Sequence, residues 1–126
     1  MNDVDAIRQL VALCGRAGDD DDVESWLACF TPDGSFGRSD TDVVHRGHDA
    51  LRAMFTTYPV HGRHTTSDHI VDVDGDNASL TCYLTFLDAE HGFALRMFGI
   101  YHDVLVRTPS GWLLRDRRLE VVHEAT

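Results

Sequence analysis

Between residues 4 and 17, "VDAIRQLVALCGRA", apolar side chains recur at Ile7, Leu10, Val11, Cys14 and Ala17, a spacing that predicts a helix with a single apolar stripe. Gly18 reads as the stopping signal, which leaves Asp19 just beyond the helix. The next run, "DDDDVESWLACF", places acids ahead of Val23, Trp26, Leu27 and Phe30. It predicts a second helix capped by Asp20 or Asp21, with Asp22 in the cap or first turn. Pro32 and the pair Asp33-Gly34 end that helix and turn the chain into a short strand around Phe36. "HDALRAMFTTY" predicts a third helix, with Leu51, Met54, Phe55 and Tyr58 along one side and Pro59 as its stop.

From residue 62 the apolar period shortens to that of extended chain. The turns "DGDN", "AEHG" and "TPSG" separate four long strand segments rich in β-branched and aromatic residues. In the second of these, Leu80, Cys82, Leu84 and Phe86 alternate with Ser79, Thr81, Tyr83 and Thr85. The third carries bulky apolar groups on both faces. One face is therefore expected to meet the helices and part of the other a second layer or subunit. The predicted order is α-α-β-α-β-β-β-β, an α+β roll or cone in which three helices cross a strongly curved antiparallel sheet and enclose a pocket.

A length of 126 residues fits a single domain spanning 1–126. With 43% hydrophobic and 25% charged residues, the composition is that of a folded globular chain. No apolar run is long enough to span a membrane, and the acidic start "MNDVDAIRQL" differs from a secretory signal, which predicts a cytoplasmic protein. A formal charge of −10 would repel nucleic acid and anionic membrane surfaces alike. Cys14, Cys29 and Cys82 are widely spaced within apolar patterns and read as buried thiols. His45 with His48, and His61 with His64, are only pairs, with no thiolate cluster, so no metal is expected. No phosphate loop or nucleophile elbow is present, and no cofactor is implied.

The segment "HGRHTTSDH" at 61–69 concentrates imidazoles at the start of a long strand. A neutral imidazole suits proton abstraction near neutral pH, and a carboxylate on Nδ1 would fix its tautomer and leave Nε2 as the base. Asp19 could supply that carboxylate to His64 through tertiary folding. Equally, Asp19 could be a helix cap and His64 an exposed strand end. Arg117 and Arg118 alternate faces, so at most one points inward to meet a developing oxyanion; Arg63 projects opposite to His64. Tyr101 and Asp103 share a face, as a site pair or as a structural rim.

The helix before Asp19, "DDDDVESWLACFTPDGSF", Gly47 before "HDALRAMF", "GRHTTSDHIVDVDGDNASL" and "GIYHDVLVRTPSGWLLRDRRLEV" together, from about residue 4 to 123, resemble the SnoaL-like branch of the nuclear transport factor 2-like superfamily. That branch includes scytalone dehydratase and the lindane dehydrochlorinase. The resemblance implies a cone-shaped fold with a hydrophobic pocket, assembled as a homodimer or sometimes a trimer. It also implies a catalytic dyad of Asp19 and His64, with Arg117 or its neighbour Arg118 projecting into the cavity; Tyr83, Tyr101, Trp26 and Phe55 are the side chains expected against the substrate. Gly99, Tyr101 and Asp103 match a frequent Gly-x-Tyr-x-Asp pattern. Cys14 stands where many relatives carry an aromatic residue, His91 falls in a turn, and the chain contains no lysine, so the substrates of those two enzymes are not implied. The function that follows is a cofactor-independent lyase or isomerase, dehydratase-like, acting on a small apolar, aromatic or polyketide-like molecule. The alternatives are a non-catalytic binding or assembly module, or a hydrolase- or monooxygenase-like use of the same histidine.

Overall fold

The computed structural model describes residues 1–126. Helix α1 spans Asp3–Asp19, capped by the Asn2 side chain accepting from the Asp5 amide, and buries Ile7, Val11, Cys14 and Ala17. The predicted stripe is therefore the buried face. Gly18 does not stop the helix. It runs on through Asp19, and the chain breaks away where Asp21 adopts a left-handed φ of 56°. Helix α2 is short, Val23–Leu27; its cap is Asp22, whose carboxylate holds the Ser25 amide and hydroxyl. Phe30, expected on α2, opens strand β1 (Phe30–Arg38) instead. It is 2% exposed and pairs with Leu114, a contact that fixes it as strand. A three-residue strand, β2 (Val44–Arg46), precedes helix α3 (His48–Thr57).

Strands β3 (Gly62–Asp74), β4 (Asn77–Asp88), β5 (Ala94–Thr108) and β6 (Gly111–Glu124) follow as antiparallel neighbours, with a single 3-10 turn at Ala89–His91 between β4 and β5. Leu80, Cys82, Leu84 and Phe86 are buried, as the alternation along β4 predicts. Phe93 leaves the β5 pattern because its φ of 61° places it in the turn.

The expected strongly curved, antiparallel sheet is not what forms. The six strands lie in the order β2-β1-β6-β5-β4-β3, an open mixed sheet that is neither closed nor strongly curled. Its mixed character comes from β1, which runs parallel to β6 through Ser35↔Asp116, Phe36↔Arg117 and Gly37↔Arg118. Hairpin turns dictate antiparallel pairing only for strands joined by short loops. β1 reaches β6 from the other end of the chain, with no short turn to set its direction. The edges are guarded by brevity at β2 and by an irregularity in β3 between Ser67 and Ile70, where Asp68 has a φ of 55°.

All three helices lie over one face of the sheet: α1 against β3 and β6, α3 against β1 and β2, with α2 between them. The space between layers is filled by a core cluster that includes Ile7, Leu27, Phe30, Leu80 and Leu105. Two concavities of about 420 and 470 Å³ lie among the outward-facing residues instead, the first beside Ser79, His102 and Arg118, the second beside Ile70, Tyr83 and Ile100.

Candidate active site

The last turn of α1 lies directly against the start of β3. A Cβ built on Gly15 would sit 3.7 Å from the His64 Cβ, and one on Gly18 would sit 4.0 Å from the His64 Cε1. Both are ordinary van der Waals distances, so α1 and β3 are in contact here at a spacing that a methyl group would also fit. The short side chain of Asp19 then reaches across. Its Oδ1 accepts two hydrogen bonds from His64, from the main-chain amide at 2.9 Å and from Nδ1 at 2.7 Å. Facing a carboxylate, Nδ1 carries the proton and Nε2 is the free lone pair. The side chains are 8% exposed for Asp19 and 21% for His64.

Nε2 has no hydrogen-bond partner in the protein, and no fully enclosed polar side-chain atom is left without one. Nε2 therefore opens on accessible space. Phe86, the β4 residue opposite His64 in register, sets its ring 4.6 Å from the imidazole and supplies an apolar wall.

Arg117 faces inward and Arg118 outward, the latter donating to Ser35 Oγ at 3.0 Å. Arg117 is 3% exposed and grips Asp103 with a fork: Nε to Oδ1 and Nη2 to Oδ2, both 2.9 Å. Its Nη1 reaches Cys14 Sγ at 3.7 Å, and its Cζ lies 3.8 Å above the Tyr101 ring. Burial opposes charge on Arg117, but the Asp103 carboxylate outweighs it and keeps the guanidinium protonated well above the usual arginine range. Tyr101 is 7% exposed, and burial pushes its hydroxyl up, so it is a neutral donor near pH 7. No protein group hydrogen-bonds that hydroxyl. By the same reasoning as for Nε2, it borders accessible space.

The remaining residues singled out from the sequence fall elsewhere. Trp26 packs against Phe30 and Phe55, with ring centres 4.9 and 5.1 Å apart, in a cluster built by α2, α3 and β1. Tyr83 is on the outer face, 41% exposed beside Phe98, and alternation separates it from the face that carries His64. His48 contacts the Phe30 carbonyl, His69 the Thr66 hydroxyl and His91 the Asp88 carboxylate. No three His, Cys, Asp or Glu side chains gather in a set that could hold a metal ion. Cys14, Cys29 and Cys82 are buried free thiols, and burial pushes Cys82 up to about 12. Sequence reasoning missed Phe86, whose role depends on the β3–β4 register, and the Arg117–Asp103 fork.

Residues 1–118 match the SnoaL-like domain family. The chain belongs to that family. Among solved structures, this SnoaL-like protein is similar to Rv3472 of Mycobacterium tuberculosis, a protein of unknown function, at 31% identity over 94% of this chain and 70% of that one, with a TM-score of 0.86. A Nostoc punctiforme protein of unknown function with a cystatin-like fold is 28% identical over 91% of this chain and 87% of that one, with a TM-score of 0.82. An NTF2-like protein from Novosphingobium aromaticivorans shares the fold at 22% identity over 98% and 84% of the two chains, with a TM-score of 0.87. No curated protein matches the sequence. No helix of this SnoaL-like protein is long and apolar enough to cross a membrane.

Proposed function

We propose that this SnoaL-like protein is a cofactor-independent lyase or isomerase of the dehydratase kind, using His64 and Asp19 to move a proton on a small apolar, aromatic or polyketide-like molecule. The observation that carries the reading is the His64 ring: Nδ1 is fixed on Asp19 at 2.7 Å while Nε2 is unpartnered, accessible and beside Phe86. In the proposed reaction, Nε2 takes a proton from the carbon next to a carbonyl, and the C–H electron pair passes into an enolate. In an elimination, the enolate then expels a β-hydroxyl, which leaves as water with the proton returned from Nε2. In an isomerisation, the same proton returns to another carbon. Tyr101 is the neutral donor for the enolate oxygen, and Arg117 acts through the face of that ring. Trp26 and Phe55 lie in the aromatic cluster of α2, α3 and β1 and Tyr83 on the other face, so the proposed step uses none of the three.

Proton transfer of this kind contributes about 10²–10⁴-fold in rate. The test is exchange of the α-protons of a small aromatic ketone, α-tetralone, into D₂O, followed by proton NMR. Exchange is expected in the wild type and a loss of that order in both His64→Ala and Asp19→Asn. Equal exchange in all three proteins would remove the dyad and leave a ligand-binding module. Exposed Ile70 and Tyr83 on the outer face support pairing of two copies there, as the family resemblance implies.

A further inference from the structure

We infer that the site selects uncharged substrates, and that Asp103 is the residue that makes it do so; the inference rests on the His64 site being where substrate binds. Arg117 is the inward-facing arginine beside α1, and an inward arginine in an apolar site ordinarily recruits a carboxylate or phosphate. Here that capacity is already used. The Asp103 side chain is fully buried, and both arms of its carboxylate take the guanidinium in a fork that matches its geometry. The Tyr101 ring covers one face of the guanidinium, Cys14 Sγ takes Nη1, and Arg117 is 3% exposed.

An arriving anion would therefore find no free positive charge. It would have to displace a buried carboxylate or remain unpaired beside it, with the Asp19 carboxylate also on that face. Either course is costly in a low-dielectric interior. Two groups on this side of the sheet have no partner in the protein: the Tyr101 hydroxyl, a donor, and His64 Nε2, an acceptor. Those two groups suit a ketone or phenol oxygen and an acidic hydrogen, not a carboxylate. Tyr101 contacts the substrate on this reading, while Asp103 acts through Arg117 and is a specificity residue.

Two probes of similar size and opposite character test this: phenol, neutral at pH 7, and benzoate, measured as dissociation constants by ligand-observed NMR. The wild type is expected to bind phenol at least tenfold more tightly than benzoate. Tyr101→Phe should weaken phenol several-fold. Asp103→Asn, which frees the guanidinium, should tighten benzoate by tenfold or more and narrow or reverse the preference. Should that variant fail to fold, the uncharged pair Asp103→Asn with Arg117→Gln is expected to keep the phenol preference. Benzoate binding as tight as phenol in the wild type, binding of neither probe, or an unchanged ratio in folded Asp103→Asn would each overturn the inference. His64→Ala separates the two ideas: it should abolish proton exchange and weaken phenol several-fold, whereas only Asp103→Asn should tighten benzoate.

Discussion

One oxygen of Asp19 holds His64 twice, through the ring at 2.7 Å and through the main-chain amide at 2.9 Å. The carboxylate therefore anchors the first turn of β3 to the last turn of α1, and it orients the imidazole with the same atom. Position and chemistry cannot be separated by removing the side chain, but they can be separated by removing its charge.

Asp19→Asn keeps an oxygen for both donors and loses the negative charge that stabilises an imidazolium. Its melting temperature should stay close to wild type while proton exchange falls about 10²–10⁴-fold. Asp19→Ala should lose both, with a stability cost of about 1–3 kcal/mol from the unpaired His64 amide. Urea denaturation run alongside the exchange assay reads the two effects independently.

Arg117 and Asp103 make a buried pair whose worth appears only when one partner is removed. Arg117→Leu leaves a fully buried carboxylate uncompensated and should cost about 3–5 kcal/mol. The double variant Arg117→Leu with Asp103→Leu should recover most of that. Equilibrium urea unfolding of the three variants supplies the cycle, and a double variant no better than the single one would contradict the fork as a coupled pair.

Gly62 begins β3 two residues before His64, and a Cβ there would fall 2.0 Å from the Leu87 carbonyl oxygen and 2.8 Å from Phe86 Cζ. Gly62→Ala must push β3 away from β4 at the point where His64 faces Phe86. A loss of about 1–3 kcal/mol by thermal or urea unfolding is expected, with a fall in proton exchange. By contrast Gly75→Ala, in a turn with open space around it, should leave exchange unchanged.

Asp3 ties the start of α1 to β6: its carboxylate takes the Arg107 fork at 3.0 Å and the Trp112 indole N–H at 3.1 Å. The hydrogen bond from Arg107, with help from Trp112, lowers the Asp3 carboxyl below its ordinary value of 3.8. A carboxylate lowered by folding stabilises the protein above its unfolded value and loses that contribution as pH falls through the folded one. The melting temperature should therefore drop below about pH 4, and Asp3→Asn should make the acid side of the profile shallower. Melting curves between pH 7 and pH 2.5 measure this.

Much of the chain was legible from its local pattern. The buried face of α1, the existence of α3 and the inward set of β4 follow from repeating spacings within a dozen residues, because hydrophobic burial acts on whichever face collects the apolar side chains. The Asp19 and His64 positions were legible as candidates only, since an acid after a helix and a histidine at a strand start have ordinary uses. Their contact spans 45 residues and exists because the last turn of α1 packs against the start of β3.

Other features had no local cause to read. The parallel alignment of β1 with β6 joins segments from opposite ends of the chain that no short turn connects. The charge state of the interior was equally hidden, because Arg117 and Asp103 become neighbours only when β5 and β6 pair in their particular register. The amino-acid pattern alone thus determined which faces are apolar and which side chains were available for chemistry. The folded structure decided which of them meet, because hydrogen bonds and ion pairs depend on ångström-scale distances that local periodicity does not encode.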